Sequence, residues 1–379
     1  MIDAGPPAPP AIVAPAPDEV SFGRIAGRVS PGTVRVVVSI GGRRIAEGPV
    51  EGRRFSVEVA LPRHDVRVRV TAIDAHGRRA SSTVGPVFGL PASARPSGYL
   101  GRLDPGLQRR LRLVASSFPG IAAFYVQDLR TGVGAAWNAR ARFPAASTLK
   151  LAIALAALER VHGPPARRSR LARLIRAMLV SSSNRAANEL EATIGGSVSA
   201  GSGLVDATMR SLGLTGTEMY GGYVIGTAAG RTPIPLRVDE QPRWGVGKYT
   251  TPYDLARLLA LVHLATDGHG LLVRLGVSPA EARWLLYLLV HSADRGKLDR
   301  FVRGPVAVPH KAGWISLARH DAGIVYWSGG AFVASVMTYG QGVGRRSDVL
   351  AGRVAQVALR RFRELARARP YDDGHAALS

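Results

Sequence analysis

Ser147 and Lys150 stand three residues apart at the head of an apolar, helix-forming stretch, Leu151-Ala152-Ile153-Ala154-Leu155-Ala156-Ala157-Leu158. Side chains at that spacing project from one face of a helix. A serine hydroxyl is a weak nucleophile at neutral pH and needs a base beside it. A lysine set against apolar surface can be that base, because desolvation disfavours its ammonium form. The start of a helix adds free N–H groups and a positive dipole end, both suited to an oxyanion. Taken alone, Ser-x-x-Lys also fits a helix cap followed by a surface lysine. Composition gives the pair more weight. Of the chain's 50 lysine and arginine residues only four are lysine: Lys150, Lys248, Lys297 and Lys311. Arginine cannot act as a base, whereas lysine can.

Two further strings carry usable chemistry. Ser182-Ser183-Asn184 separates two apolar helical stretches. Either serine could cap the second helix with help from Asn184. Alternatively, Ser182 supplies a hydroxyl that relays a proton, and Asn184 an amide that holds a substrate carbonyl. Lys311-Ala312-Gly313-Trp314 falls on an expected strand. Lys311 can offer positive charge to a carboxylate, and Gly313 lets a ligand backbone lie against the strand. An exposed lysine protecting a sheet edge is the competing reading.

In this order and spacing, the three strings resemble the signature of the serine penicillin-recognising enzymes, class A β-lactamases most closely. Phe143-Pro144-Ala145-Ala146-Ser147 resembles that family's approach to its nucleophile. Asn184-Arg185-Ala186-Ala187-Asn188 resembles its second helix start, and Tyr249-Thr250-Thr251-Pro252 its Thr-Thr-Pro helix. The likeness covers roughly 107–366. It implies an acyl-enzyme mechanism with a β-lactam or a peptidoglycan-type peptide, and no cofactor or metal. By that resemblance Ser147 attacks, Lys150 takes its proton, and Ser182 protonates the leaving nitrogen while Lys311 holds it electrostatically. The N–H groups of Ser147 and Trp314 form the oxyanion hole, Asn184 binds a substrate amide, and Ala312 and Gly313 line the same strand edge. The family also implies an extracellular or cell-envelope location. A non-hydrolytic peptidoglycan- or penicillin-binding protein of the same fold is the alternative.

The chain departs from the class A pattern at three places. Ser183 stands where an aspartate is usual, and Ala312 where a threonine or serine is usual. No Glu-x-x-Leu-Asn string occurs in 213–248, where class A enzymes place the glutamate that drives deacylation. A gapless count from Thr217-Glu218-Met219-Tyr220 puts Tyr223 near that position. The acids of the segment are Glu218, Asp239 and Glu240. The expectation is competent acylation and slow deacylation.

These residues need a scaffold, and the chain divides readily. Residues 1–19 are rich in proline and alanine and read as a disordered leader. Residues 20–92 alternate with period two. Val34, Val36, Val38 and Ile40 share one strand face, as do Phe55, Val57, Val59 and Leu61, and Val66, Val68, Val70 and Ala72. Turn signals separate them, which predicts a small antiparallel sandwich similar to immunoglobulin-like modules, acting as a spacer or docking unit. Residues 93–106 read as a linker. In 107–366, strands at both ends flank a run of helices, which is an α+β arrangement of an antiparallel sheet with a helical subdomain. Residues 367–379 are expected to be a disordered tail.

Composition bounds the rest. With 46% apolar and 20% charged residues the chain reads as globular. No run of 18 apolar residues predicts a transmembrane segment, and no signal peptide is visible at Met1–Asp18. The absence of cysteine excludes disulfides and thiolate chemistry. The net charge of +23 is spread along the chain without a basic block. That predicts weak, salt-sensitive contact with anionic cell-wall polymers and no specific nucleic-acid recognition.

Overall fold

Period-two alternation in the first hundred residues builds two stacked sheets. The structure, a computed structural model, describes residues 7–161, 163–219, 234, 236, 238–242, 247–341 and 343–368. Eight strands come first: β1 (Ala11–Ala14), β2 (Glu19–Ser21), β3 (Arg24–Arg28), β4 (Thr33–Ile40), β5 (Arg43–Pro49), β6 (Arg54–Glu58), β7 (Asp65–Asp74) and β8 (Arg79–Gly89). They form a three-stranded sheet, β1-β3-β6, and a five-stranded sheet, β2-β8-β7-β4-β5. Val36, Val38, Phe55, Val57, Val66, Val68 and Val70 fill the space between them, while Arg35, Arg67 and Arg69 face out. Val34, expected inside, is 49% exposed. A register shift between Thr33 and Arg35 against β7 turns it away from the core.

The leader differs from its expectation. Ala11–Ala14 is an edge strand on β3, and Glu19–Ser21 pairs in parallel with β8. Proline is tolerated at such edges, and two acids tie the segment down. Buried Asp18 accepts from Arg167 and Arg176, each at 2.9 Å, and buried Glu19 accepts from Arg283 at 2.8 Å. The sandwich is packed onto the rest of the chain. Val20, Phe22, Phe88 and Leu90 belong to the same apolar cluster as the helical core that follows. Tyr287 donates to Asp65 at 2.9 Å, and Ser93 to the Ser328 carbonyl at 2.7 Å.

The second part opens with β9 (Arg102–Leu103) inside the expected linker and α1 (Pro105–Ser116), capped by Asp104. β10 (Ile121–Asp128) and β11 (Val133–Trp137) follow. β12 (Phe143–Pro144) leads through a 3₁₀ turn (Ala146–Leu149) into α2 (Lys150–Leu158). The helical layer adds α3 (Arg170–Val180), α4 (Asn184–Gly195) and α5 (Val198–Ser211). β13 (Tyr249–Thr250), α6 (Pro252–Ala265), α7 (Leu271–Arg274) and α8 (Pro279–Val290) come next. β14 (His310–Ile315), β15 (Ala318–Trp327), β16 (Gly330–Tyr339) and α9 (Arg345–Arg367) close the described chain.

Six strands form one sheet in the order β14-β15-β16-β10-β11-β9, antiparallel except between β9 and β11. β10 and β16 are buried on both faces, which is why they read as nearly continuous apolar runs. On one face, Leu107 and Leu111 of α1 and Leu350, Val354 and Leu359 of α9 pack on Phe124, Val126, Val325 and Phe332. The helical layer covers the other face through α6 and α2. This is the expected α+β arrangement. Among the described residues no helix is long and apolar enough to cross a membrane.

Candidate active site

The three strings meet at the exposed edge of the sheet. Ser147 lies in the 3₁₀ turn before α2, one turn earlier than a regular helix start, and is half-buried. Ala146, just before it, has φ +49°, a conformation non-glycine residues rarely adopt. β14 runs directly against this turn. A Cβ placed on Gly313 would sit 2.7 Å from the Ser147 nitrogen and 2.8 Å from the Thr148 nitrogen. Only a residue without a side chain leaves the Ser147 amide open there.

The second string splits its two serines. Ser183 caps α4, accepting from the Ala186 N–H at 3.2 Å. Ser182, held at φ +56°, is left to the lysines. Lys150 Nζ donates to Ser182 Oγ at 3.3 Å, to the Ser182 carbonyl, and to Asn184 Oδ1 at 2.6 Å. Lys311 Nζ donates to the same Ser182 Oγ at 3.0 Å and to the Ala312 carbonyl at 2.8 Å. No hydrogen bond joins Ser147 Oγ to Lys150 Nζ. Ala312 is buried, and the Trp314 side chain is 63% exposed, so neither side chain lines the lysine cluster.

Burial sets the charge state of both lysines. It pushes Lys150 down to about 8, with the nearby cation Lys248 acting in the same direction. Lys311 is likewise pushed down to about 8 by burial and then by Lys150. A neutral lysine is therefore accessible at this site near neutral pH, which an exposed lysine does not offer.

Three supports escaped the sequence reading. His320 on β15 donates from Nε2 to the Pro144 carbonyl at 2.8 Å and accepts the Thr338 N–H at 3.2 Å. It thereby fixes the strand that delivers Ser147. Lys248, visible only as one of four lysines, accepts the Ala145 N–H on its carbonyl at 2.9 Å. Asn138 is buried, accepts from the N–H groups of Asp239 and Glu240 at 2.9 Å each, and donates to the Glu240 carbonyl at 2.7 Å. No local pattern marks His320 or Asn138, because the Pro144 partner of His320 and the partners of Asn138 lie more than a hundred residues away.

Of the loop acids, Glu218 is bridged to Tyr249 through the backbone and accepts from its hydroxyl at 2.6 Å. Asp239 and Glu240 have exposed side chains. Tyr223 lies outside the described residues.

The model of the beta-lactamase enzyme family matches residues 106–164 and 162–362. A solved structure of PBP-A is 20% identical, with a TM-score of 0.54 over 70% of this chain and 98% of that one. A variant of it, described as an acyl-enzyme complex with penicillin G, is 19% identical, with a TM-score of 0.53 over 70% and 99%. An ancestral class A β-lactamase is 22% identical, with a TM-score of 0.52 over 68% and 100%. These structural likenesses concern the fold. No curated protein matches. The matched span holds Ser147, both lysines on Ser182 and five of the six strands of the sheet, all but β9, and on that match the chain belongs to the beta-lactamase enzyme family.

Proposed function

We propose that the chain is a serine hydrolase of the class A β-lactamase type. Its substrates are β-lactams or peptidoglycan-type peptides, it forms an acyl-enzyme on Ser147, and it releases the acyl group slowly. The observation that carries this reading is the convergence of Lys150 and Lys311 on one hydroxyl, Ser182 Oγ. In the proposed reaction Ser147 Oγ bonds to the carbonyl carbon and gives its proton to neutral Lys150. The oxyanion is held by the N–H groups of Ser147 and Trp314. The C–N bond then breaks, and the leaving nitrogen takes its proton from Ser182, which recovers one from Lys150. Lys311 stays charged beside Ser182 throughout. Asn184 gives its oxygen to Lys150, and its Nδ2 is the group that binds the substrate amide.

Hydrolysis of the acyl ester needs a base that activates water. Glu218 is engaged by Tyr249, and no Glu-x-x-Leu-Asn string is present. Those two facts favour long-lived acyl-enzyme. They also support the second reading, a penicillin- or peptidoglycan-binding protein without useful turnover. Either function belongs in the cell envelope or outside the cell, with the N-terminal sandwich as an immunoglobulin-like unit.

Intact-mass measurement after mixing with penicillin G, followed over hours, tests the proposal. One adduct should form and persist on the wild type and be absent from Ser147→Ala. Equal labelling of both proteins sinks the nucleophile. Turnover near roughly 10 per second with no accumulating adduct sinks slow release.

A further inference from the structure

On the face of the sheet opposite the lysine cluster, the C-terminal end of α1 and the first turns of α9 enclose an open cleft of about 660 Å³. Its floor is apolar: Val114, Phe118, Val349 and Leu350. Its rim carries Arg345, Arg346 and Arg353, all exposed. The spacing explains the grouping, since positions 345, 349 and 353 recur every four residues along one stripe of α9. No described carboxylate neutralises these three arginines. The two acids of α9 are already paired, Asp348 with Arg319 at 2.7 Å and Glu364 with Arg110 at 3.6 Å. Beside the cleft, Leu113 on α1 is 73% exposed.

Charge and apolar surface together define the ligand. A purely polar polyanion would satisfy the arginines and leave Leu113 and the floor in water. A neutral apolar ligand would leave three cations without partners. We infer that this cleft docks on an anionic lipid bilayer, with Arg345, Arg346 and Arg353 on headgroup phosphates and the exposed Leu113 side chain against acyl chains. Each arginine near such a surface contributes an additive increment of electrostatic attraction, and inserted apolar area adds to it. Because the lysine cluster faces the other side of the sheet, docking leaves the active site open to solvent.

The test is co-sedimentation of the full chain with vesicles of phosphatidylcholine alone or mixed with phosphatidylglycerol, at low and physiological salt. Binding should need the anionic lipid. The triple variant R345E/R346E/R353E should bind on the order of a hundredfold more weakly or less, given the usual increment per basic residue. A control of equal charge change on exposed sandwich arginines, R28E/R43E/R69E, should cost far less. Leu113→Asp should weaken vesicle binding while leaving retention on heparin unchanged. Thermal melts at wild-type temperature show that the variants fold, and R345Q/R346Q/R353Q replaces the triple reversal if it does not. Three results overturn the inference: equal loss in the cleft and control triples, no preference for anionic vesicles, or loss of heparin retention with vesicle binding intact. The last would assign the cleft to a polyanion.

Discussion

Lys150 and Lys311 share Ser182 Oγ, so the state of one lysine is felt by the other. In the proposed mechanism Lys150 must be neutral to take the Ser147 proton, and Lys311 must stay charged. Both are pushed down to about 8. Below that pH Lys150 is mostly protonated, so acylation should rise roughly tenfold per pH unit between about 5 and 7. Above it Lys311 loses its charge and the rate should fall. The pair titrates together, giving a bell with its maximum near 8. Stopped-flow acylation by a chromogenic cephalosporin reads this directly, and a flat profile from pH 5 to 7 would remove Lys150 from the base role. Gly313→Ala is the steric counterpart. Its methyl would meet the Ser147 amide, so acylation should fall by about 10² to 10³, the usual cost of losing an oxyanion donor. Because the atoms it meets are backbone, the turn must shift, and the variant should also melt a few degrees lower. An unimpaired variant would place the oxyanion elsewhere. The residues that meet at the candidate site were legible because residue type and spacing single them out: Lys150, Ser182, Asn184 and Lys311, which share hydrogen bonds, and Ser147 on the turn before α2. The division of labour between Ser182 and Ser183 was not, since either could cap α4 until the turn at Ser182 is known.

At the scale of elements, the strand before Ser147 is held by His320, one of two buried histidines that are kept neutral. Burial pushes His320 down to about 4 and His263 down to about 3. Both titrate near 6.5 when unfolded, so the unfolded chain binds more protons between those values. Their contribution is fully present above pH 6.5 and is lost as pH falls through that window. For His320 alone the loss approaches about 3 kcal/mol by pH 4. Asp254 works in the opposite direction, because burial pushes its carboxyl up to about 6. A matched comparison therefore isolates the histidine: His320→Gln keeps a donor for the Pro144 carbonyl and should show a shallower loss of melting temperature between pH 6.5 and 4. An identical slope in both proteins would show that His320 does not carry the acid sensitivity. Helices and strands were largely legible from period, as with Ile121–Gln127 extending to β10 and Asp348–Ala366 to α9. The 3₁₀ turn at Ser147 and the pairing of β1 and β2 were not. The first depends on the backbone at Ala146, and the second on partners far along the chain.

At the scale of the whole molecule, the sandwich and the hydrolase share a core. Val20, Phe22, Phe88 and Leu90 are buried in one cluster with α2, α6 and α8. The Phe22 ring lies 5.9 Å from both His263 and Tyr326, edge to face. Asp18 pins α3 through Arg176, and α3 ends at Val180, two residues before Ser182. The linker composition alone would suggest a hydrolase that folds independently, but this interface predicts otherwise. Burying a side chain of this size contributes about 1.5 to 3 kcal/mol, so four of them rival the roughly 5 to 15 kcal/mol stability of a typical domain. A fragment spanning 100–379 exposes that apolar surface and leaves Arg167, Arg176 and Arg283 without their carboxylates. It should melt more than about 10 °C below the full chain, at the usual few degrees per kcal/mol. Asp18→Ala in the full chain keeps the apolar contacts, removes the ion pairs and adds the strain of alanine at a left-handed φ of +65°, and its drop should still be smaller. Because Asp18 restrains α3, that variant should also acylate more slowly with penicillin at temperatures where it is fully folded. Calorimetry of the three proteins orders them as full chain, Asp18→Ala, then fragment. A fragment that melts with the full chain would mean that the shared cluster adds nothing to stability, and that the sandwich is only carried by the hydrolase.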